Sequence, residues 1–409
     1  MGLARVLVLI AGSVLAVFPW RRFPGWVGPA LLAAAALVVR IVPIHAARTA
    51  GSELTNAVLF LLLAVPLAVL LDRSGFFAAL ASMVGGGRHL RTGLWVLAAL
   101  VTVVFNLDAA VVLLTPLYVR IAERNGEDPV MLGFIPALLA TLASSVLPVS
   151  NLTNLIVADR LHLGAGAFLT HLALPSVAAV VVGGLFFARL AGPDQAVVSG
   201  VNRVSGVSGV SGVEARPEPL DHGALRTGIP VVVWLLFGFT VGERFGVQAW
   251  IVVLAALVVL AVRQRVVPWR QVPIQAAVLA AGLGILATAA APHLPVERLL
   301  SVRGIPGELA TVGVMALGSN AINNLPALLV ALPALGQHHE RVWAVLLGSN
   351  LGPALWVTGA LSTLLWQATM QRLGHAVSAL RYARTAIVVG VPALLAATLV
   401  RVAMIALSR

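Results

Sequence analysis

The sequence contains no cysteine, which excludes disulfides, thiolate metal sites and c-type haem attachment. Lysine is also absent, since the letter K occurs nowhere and all 27 basic residues are arginine. Without lysine there is neither a GxxxxGK phosphate loop nor a Schiff-base nucleophile. Charged residues make up 10% of the chain, against about a quarter in a soluble domain. Opposite these absences stand 60% hydrophobic residues over 409 positions and a mean hydropathy of +0.99. A water-soluble enzyme is excluded, and an all-α integral membrane protein in a lipid bilayer is expected.

The net charge is +12, but the arginines stand at the ends of apolar runs rather than in a patch interleaved with aromatics. They mark topology, and no nucleic-acid partner is expected. The opening MGLARVLVLIAGSVLAVFPW lacks a small-x-small cleavage site and reads as a first span rather than a signal peptide.

Apolar runs of spanning length fall near 3–20, 25–43, 55–71, 166–188, 227–242, 246–262, 272–290 and 385–405. Four further stretches, 93–119, 130–159, 305–335 and 342–371, are interrupted by polar or Gly/Pro clusters. Residues 191–226 hold a Val-Ser-Gly repeat and alternating Pro and acid, a composition that forms a flexible aqueous linker. The expected organisation is a transmembrane half over 1–190, the linker over 191–226 and a second half over 227–409.

Arginine placement orients the chain. The loops at 21–22, 72–92, 189–226, 263–270 and 372–384 hold 15 Arg, and those at 40–54, 159–165, 243–245 and 291–308 hold 6. By the positive-inside rule the first set, linker included, is cytoplasmic. The halves then enter from opposite sides, which is the mark of an inverted repeat and common in secondary transporters. NLDAAVVLLTP from Asn106 aligns with NNLPALLVALP from Asn323, and Ser150-Asn151-Leu152 with Ser349-Asn350-Leu351. Each half therefore reads as three spans, a broken stretch, a second broken stretch and a last span, about ten spans in all. The sides of the loops 120–129 and 338–341 stay open, because neither carries an arginine surplus.

Non-helical backbone inside a bilayer survives only where it lines a protein-walled cavity. Asn, Ser and Thr at the breaks can cap helix ends and still offer amide and oxygen groups to a solute. The expected substrate-binding residues are Asn106; Ser150, Asn151, Thr153 and Asn154; Asn320, Asn323 and Asn324; and Ser349 and Asn350. Each cluster alone could be an ordinary helix cap, whereas four in two matched pairs point to a site near the midplane. Asp108 is the only acid between Leu94 and Val119. A carboxyl group in that setting is a candidate carrier of a coupling proton or ligand for Na+; the plainer alternative is a structural hydrogen bond to Asn106 or a neighbouring break.

Other polar residues read as structural. Asp159 and Arg160 look like an interfacial pair, His171 like a core histidine, and His338-His339-Glu340-Arg341 like a loop rather than a metal site. GVSG at 206–209 and 209–212 matches an intramembrane serine protease pattern, but the repeat generates it by accident. HExxH is absent, and one intramembrane Asp makes no aspartyl dyad. Neither a catalytic residue nor a resident cofactor is expected.

NLDAAVVLLTP, SNLTNLIVADRLHLG from Ser150, NNLPALLVALP and GSNLGPALWVTGALSTLLW from Gly348 together resemble the arsenite efflux permeases of the ion transporter superfamily. That superfamily also holds sodium/proton antiporters and dicarboxylate or sulfate carriers. The resemblance implies a scaffold from the leading spans and a transport unit of two re-entrant hairpins, two discontinuous helices and the last spans. The hairpin tips would be Asn106–Asp108 and Asn320–Asn324, with unwound loops at Ser150–Asn154 and Ser349–Pro353. It also leaves room for a homodimer and for a separate ATPase subunit. The chain departs from arsenite permeases where Leu107 separates Asn106 from Asp108, and where Asn350 and Ala354 replace the usual Asp and Lys. The leading expectation is export of arsenite or antimonite across the inner (plasma) membrane, coupled to protons. The alternative is a sodium-coupled anion carrier or sodium/proton antiporter on the same fold; a channel-like or accessory subunit without coupled transport comes third.

Overall fold

The computed structural model describes residues 2–17, 24–84, 89–192 and 221–408. Most of the expected linker and both GVSG repeats lie outside the described residues.

Among the described residues every regular element is helical. The first half runs through α1 (Gly2–Val17), α2 (Val27–Val38), α3 (Ile44–Arg73) and a short α4 (Phe76–Met83). It continues with α5 (Leu90–Phe105), α6 (Leu107–Asn125), α7 (Pro129–Leu142) and α8 (Leu152–Leu161). It closes with α9 (Ala165–Phe168), a π-helical step at Leu169–Ala173 and α10 (Leu174–Ala191). The second half repeats that order with α11 (His222–Thr240), α12 (Ala249–Gln264), α13 (Ile274–Ala290) and a short α14 (Val296–Leu300). Then come α15 (Gly304–Ile322), α16 (Asn324–Leu335), α17 (Val342–Leu351), α18 (Leu361–Arg372) and α19 (Ala379–Leu407).

Among the described residues, five helical segments are individually long and apolar enough to cross a bilayer: Ile44–Arg73, Ala165–Ala191, His222–Thr240, Trp269–His293 and Ala379–Leu407. Helices satisfy their own backbone groups, which hydrocarbon demands. The protein is a multi-pass membrane protein. α10 packs along α19, while α13 packs on α1, α2 and α3. Leu174, Val177, Val181 and Leu185 stay exposed along α10; at spacings of three and four they form one stripe, suited to lipid.

Contacts sort the loops into two ends. At one, Arg91 donates to the Gly192 carbonyl at 2.9 Å, Gln264 to the Leu70 carbonyl at 2.8 Å, and His375 lies 3.3 Å from Glu123. At the other, Asn56 donates to Asp159 at 2.9 Å, the Ala165 amide donates to Glu243 at 2.9 Å, and Arg401 meets His171 at 3.3 Å. Residues 165–191 connect the two ends; their 27 residues span about 40 Å at 1.5 Å per residue.

That frame decides what charge counting left open. Arg91, at the start of α5, pairs with Glu127, just before α7, at 2.5 Å. α5 and α6 therefore form a hairpin that returns to its own end, and 120–129 shares the end of 72–92. Arg341, just before α17, pairs with Glu308 near the start of α15 at 3.1 Å, so α15 and α16 form a hairpin opening from the opposite end.

Two local expectations are corrected. Asp159 and Arg160 turn to α3 rather than to each other: Asp159 accepts from Asn56, and Arg160 sits 3.5 Å from Glu53. Both follow one another near the end of α8, where successive side chains diverge by about 100° around the helix. Arg341 belongs to no solvated loop; it is 5% exposed, because Glu308 and the Gly304 and Val302 carbonyls receive its donors.

Candidate functional site

Each hairpin turns on one asparagine held in the same unusual backbone conformation. Asn106 has φ 79° and ψ 152°, and Asn323 has φ 76° and ψ 152°. This region is populated almost only by glycine, and a residue with a Cβ pays about 1–3 kcal/mol there. The side chain explains why asparagine is present. Asn106 Oδ1 accepts from the Asp108 amide at 2.9 Å, capping α6, while Nδ2 donates to the Val149 carbonyl at 3.3 Å. Asn323 repeats both bonds, accepting from the Leu325 amide at 3.3 Å and donating to the Thr358 carbonyl at 3.2 Å. The tips are thus single residues at 106 and 323, narrower than the expected Asn106–Asp108 and Asn320–Asn324, because one residue at positive φ reverses the chain.

The crossing helices break in equally matched places. α7 ends at Leu142 and α8 starts at Leu152; α17 ends at Leu351 and α18 starts at Leu361. The unwound segments are therefore 143–151 and 352–360, displaced from the expected Ser150–Asn154 and Ser349–Pro353. In the first, Pro148 cannot donate to a preceding turn and holds Leu147 extended at φ −127°, ψ 156°. In the second, Gly352 and Pro353 open the break. The matching of Ser150-Asn151 with Ser349-Asn350 is corrected accordingly. By backbone position Ser150-Asn151 corresponds to Gly359-Ala360, since Asn151 (φ −148°, ψ 144°) and Ala360 (φ −142°, ψ 157°) both stand just before a new helix. Ser349 and Asn350 lie within the last turn of α17.

Side chains satisfy the freed backbone groups, as buried peptide groups require. Ser150 donates to the Val103 carbonyl at 2.8 Å, and Thr358 to the Asn320 carbonyl at 2.7 Å. Asn154 donates to the Ser144 and Leu147 carbonyls, each at 2.9 Å. Asn320 donates to the Ala316 carbonyl at 2.8 Å and the Gly352 carbonyl at 2.7 Å. Ser349 donates to the Leu346 carbonyl at 3.3 Å. Asn106, Ser150, Asn154 and Asn320 thus brace the breaks, while Ser349 bonds within its own helix.

Asn350 joins the halves. Its Oδ1 accepts from Thr153 Oγ1 at 2.7 Å and Asn151 Nδ2 at 3.1 Å. Its Nδ2 donates to Asn154 Oδ1 at 2.6 Å and Ser145 Oγ at 3.2 Å. Two acceptor and two donor positions use the full capacity of a carboxamide.

Beside this network lies a cavity of about 30 Å³ lined by Asp108, Asn151, Thr153, Asn323 and Asn324, with Leu279, Ala280 and Leu283 of α13 opposite. It has room for one or two waters. Among the described residues no basic side chain lines it. Asp108 is 3% exposed, and its Oδ1 takes no hydrogen bond from the described residues; the structural bond to Asn106 runs through the Asp108 amide alone. Leu325 holds the matching place in the second half, so the carboxyl group is unique to the first. A larger pocket of about 340 Å³ opens at the end of Asp159 and Glu243 and reaches Pro148 and Val149 of the first break.

Sequence reasoning missed Glu308, buried to 1%. The signal was present: Glu308 is the one acid in the broken stretch 305–335, as Asp108 is in its own. Its partners Arg341 and Arg401 lie too far along the chain to be assigned without the fold.

The sequence matches the profile of the citrate transporter family over residues 13–361. The arsenical pump membrane protein of Yersinia enterocolitica is 28% identical over 427 residues, covering 95% of this chain and 96% of that protein. An Escherichia coli protein of the same description is 28% identical, covering 90% and 91%. The crystal structure of the Alcanivorax borkumensis YdaH transporter is similar in fold, with TM-score 0.50, 15% identity and 88% of both chains covered.

Proposed function

The chain belongs to the citrate transporter family, and from that premise we propose that this secondary transporter exports arsenite or antimonite across the inner membrane, driven by the proton motive force. The observation that carries the reading is the lining of the central cavity: one carboxyl group, amides and a hydroxyl, with no basic side chain. Arsenous acid is neutral and hydroxylated, so it needs no counter-charge and can hydrogen-bond to these groups. A polycarboxylate placed there would face Asp108 with no cation to offset the repulsion. Relatives described as arsenical pump membrane proteins, matched along almost their whole length, support the same solute class.

In this reading Asp108 carries the coupling proton. Asn151, Thr153, Asn323 and Asn324 contact the solute, while Asn106, Ser150, Asn154, Asn320 and Asn350 hold the breaks in place. Residues 1–190 and 227–409 form two inverted repeats joined by a cytoplasmic linker at 191–226, supported by hairpins that open from opposite ends. The arginine-rich loops support a cytoplasmic Arg91 end, on which the 340 Å³ pocket would face outward. An ATPase partner would be a separate chain, because this one has no lysine for a phosphate loop.

A second reading, sodium-coupled transport of a carboxylate anion, is favoured by the family's description as citrate transporters; bound Na+ would then have to supply the missing positive charge. Accumulation assays in cells lacking their own exporter separate the two. Export predicts lower cellular arsenite when the protein is expressed. Unchanged arsenite together with sodium-dependent citrate uptake would replace the first reading by the second.

A further inference from the structure

The base of each hairpin carries a buried ion pair, and the two pairs have opposite polarity. Arg91 precedes Asn106 by as many residues as Glu308 precedes Asn323, so the two stand at equivalent places on the entering arms. Arg91 binds Glu127, just before α7, through Nη2 at 2.5 Å and Nε at 3.2 Å. Glu308 binds Arg341, just before α17, at 3.1 Å. Each pair thereby ties its hairpin to the broken helix that follows.

Each cluster also reaches the last span of its own half. Arg91 Nη1 donates to the carbonyls of Gly192 and Ala191, at 2.9 and 3.3 Å, where the exposed carbonyl end of α10 attracts a cation. Glu308 Oε1 receives Arg401 Nε of α19 at 3.1 Å, and Arg401 continues to His171 Nδ1 at 3.3 Å. His171 in turn lies against Trp343 of α17, with ring centroids 4.5 Å apart. Glu127, Glu308, Arg341 and Arg401 are all buried. An isolated charge at such depth is costly, and a buried cluster replaced by apolar groups of similar volume often folds as well or better. The demand for stability alone therefore does not explain two charged clusters at matched positions with exchanged signs.

We propose that Arg91–Glu127 and Arg341–Glu308–Arg401 are positioning residues that fasten each hairpin to the broken helix and last span of its own half, so that the three elements move together. The inference does not depend on which solute is carried.

The test uses the natural absence of cysteine. Leu309→Cys and Leu399→Cys place spin labels on exposed positions of α15 and α19, and Leu100→Cys and Leu185→Cys do so on α5 and α10. In the otherwise native chain each pair should give a single narrow distance. The combined Glu308→Leu, Arg341→Met and Arg401→Met variant removes all three charges while filling their space. It should remain folded and yet show a broadened or second distance between α15 and α19, with loss of transport rate at unchanged KM for the transported solute. A narrow native distance in that folded variant would overturn the proposal. Should that variant fail to fold, Arg91→Met and Arg91→Lys decide. The methionine variant should broaden the α5 to α10 distance, and the lysine variant, which keeps a donor for Glu127 and the Gly192 carbonyl, should narrow it again; a native distance in the methionine variant, or no narrowing in the lysine variant, overturns the proposal.

Discussion

Truncating Asn350 to alanine removes one carboxamide that four side chains share. Thr153 and Asn151 lose an acceptor at 2.7 and 3.1 Å, and Asn154 and Ser145 lose a donor at 2.6 and 3.2 Å. Asn151 keeps Ser144 Oγ within 3.3 Å, and the two hydroxyls can rotate, so part of the loss is recovered. Asn154 cannot turn its amide, because Nδ2 is committed to two carbonyls. With one to two buried polar groups stranded at about 1–3 kcal/mol each, the cost is about 1–6 kcal/mol. Asn350→Asp fills the space but sets a carboxylate oxygen against Asn154 Oδ1, so it should not restore the alanine loss. Equilibrium unfolding in mixed micelles measures both, and a double-mutant cycle with Asn154→Ala should give a coupling of about 1–3 kcal/mol. A loss below ~1 kcal/mol with additive single effects would refute the view that Asn350 holds the halves together.

Further consequences concern the backbone. A Cβ on Gly352 would lie 2.4 Å from Ala316 Cα, whereas one on Gly313 meets nothing within 4 Å. Gly352→Ala should therefore lower stability by at least about 1–3 kcal/mol while Gly313→Ala leaves the unfolding midpoint nearly unchanged; equal effects would contradict the close approach of the second break to α15. At the hairpin turns, Asn106→Gly and Asn106→Ala both lose the cap and leave the Val149 carbonyl without its donor, but only glycine relieves the strained φ. Glycine should be the milder change by about 1–3 kcal/mol, and likewise at Asn323; thermal unfolding that ranks alanine as the milder would show that the turns are not strained.

The hairpin turns were legible in the sequence because a helix break and its cap are local. Asn followed by an apolar body and a closing Pro appears twice, and the structure puts the two turns in that register. The crossing breaks were not legible in the same way. Matching Ser-Asn-Leu letters set Ser150-Asn151 against Ser349-Asn350, but Pro148 and the Gly352-Pro353 pair decide where the backbone unwinds. Asn350 instead reaches residues about two hundred positions away, a contact no local pattern encodes. Glu308 was equally visible as an acid in an apolar stretch, yet only the fold brings Arg341 and Arg401 to it. Asp108 lies two residues past the capping Asn106, in the first turn of α6 and beside a cavity.

Proton-driven export through a site containing Asp108 can be measured in inside-out vesicles bearing an imposed, acid-inside pH gradient. The native protein should concentrate arsenite in the lumen until a protonophore is added, while Asp108→Asn should show no concentration against a gradient yet still exchange labelled for unlabelled arsenite. Absence of uphill arsenite transport by the native protein, or full uphill transport by Asp108→Asn, would contradict it.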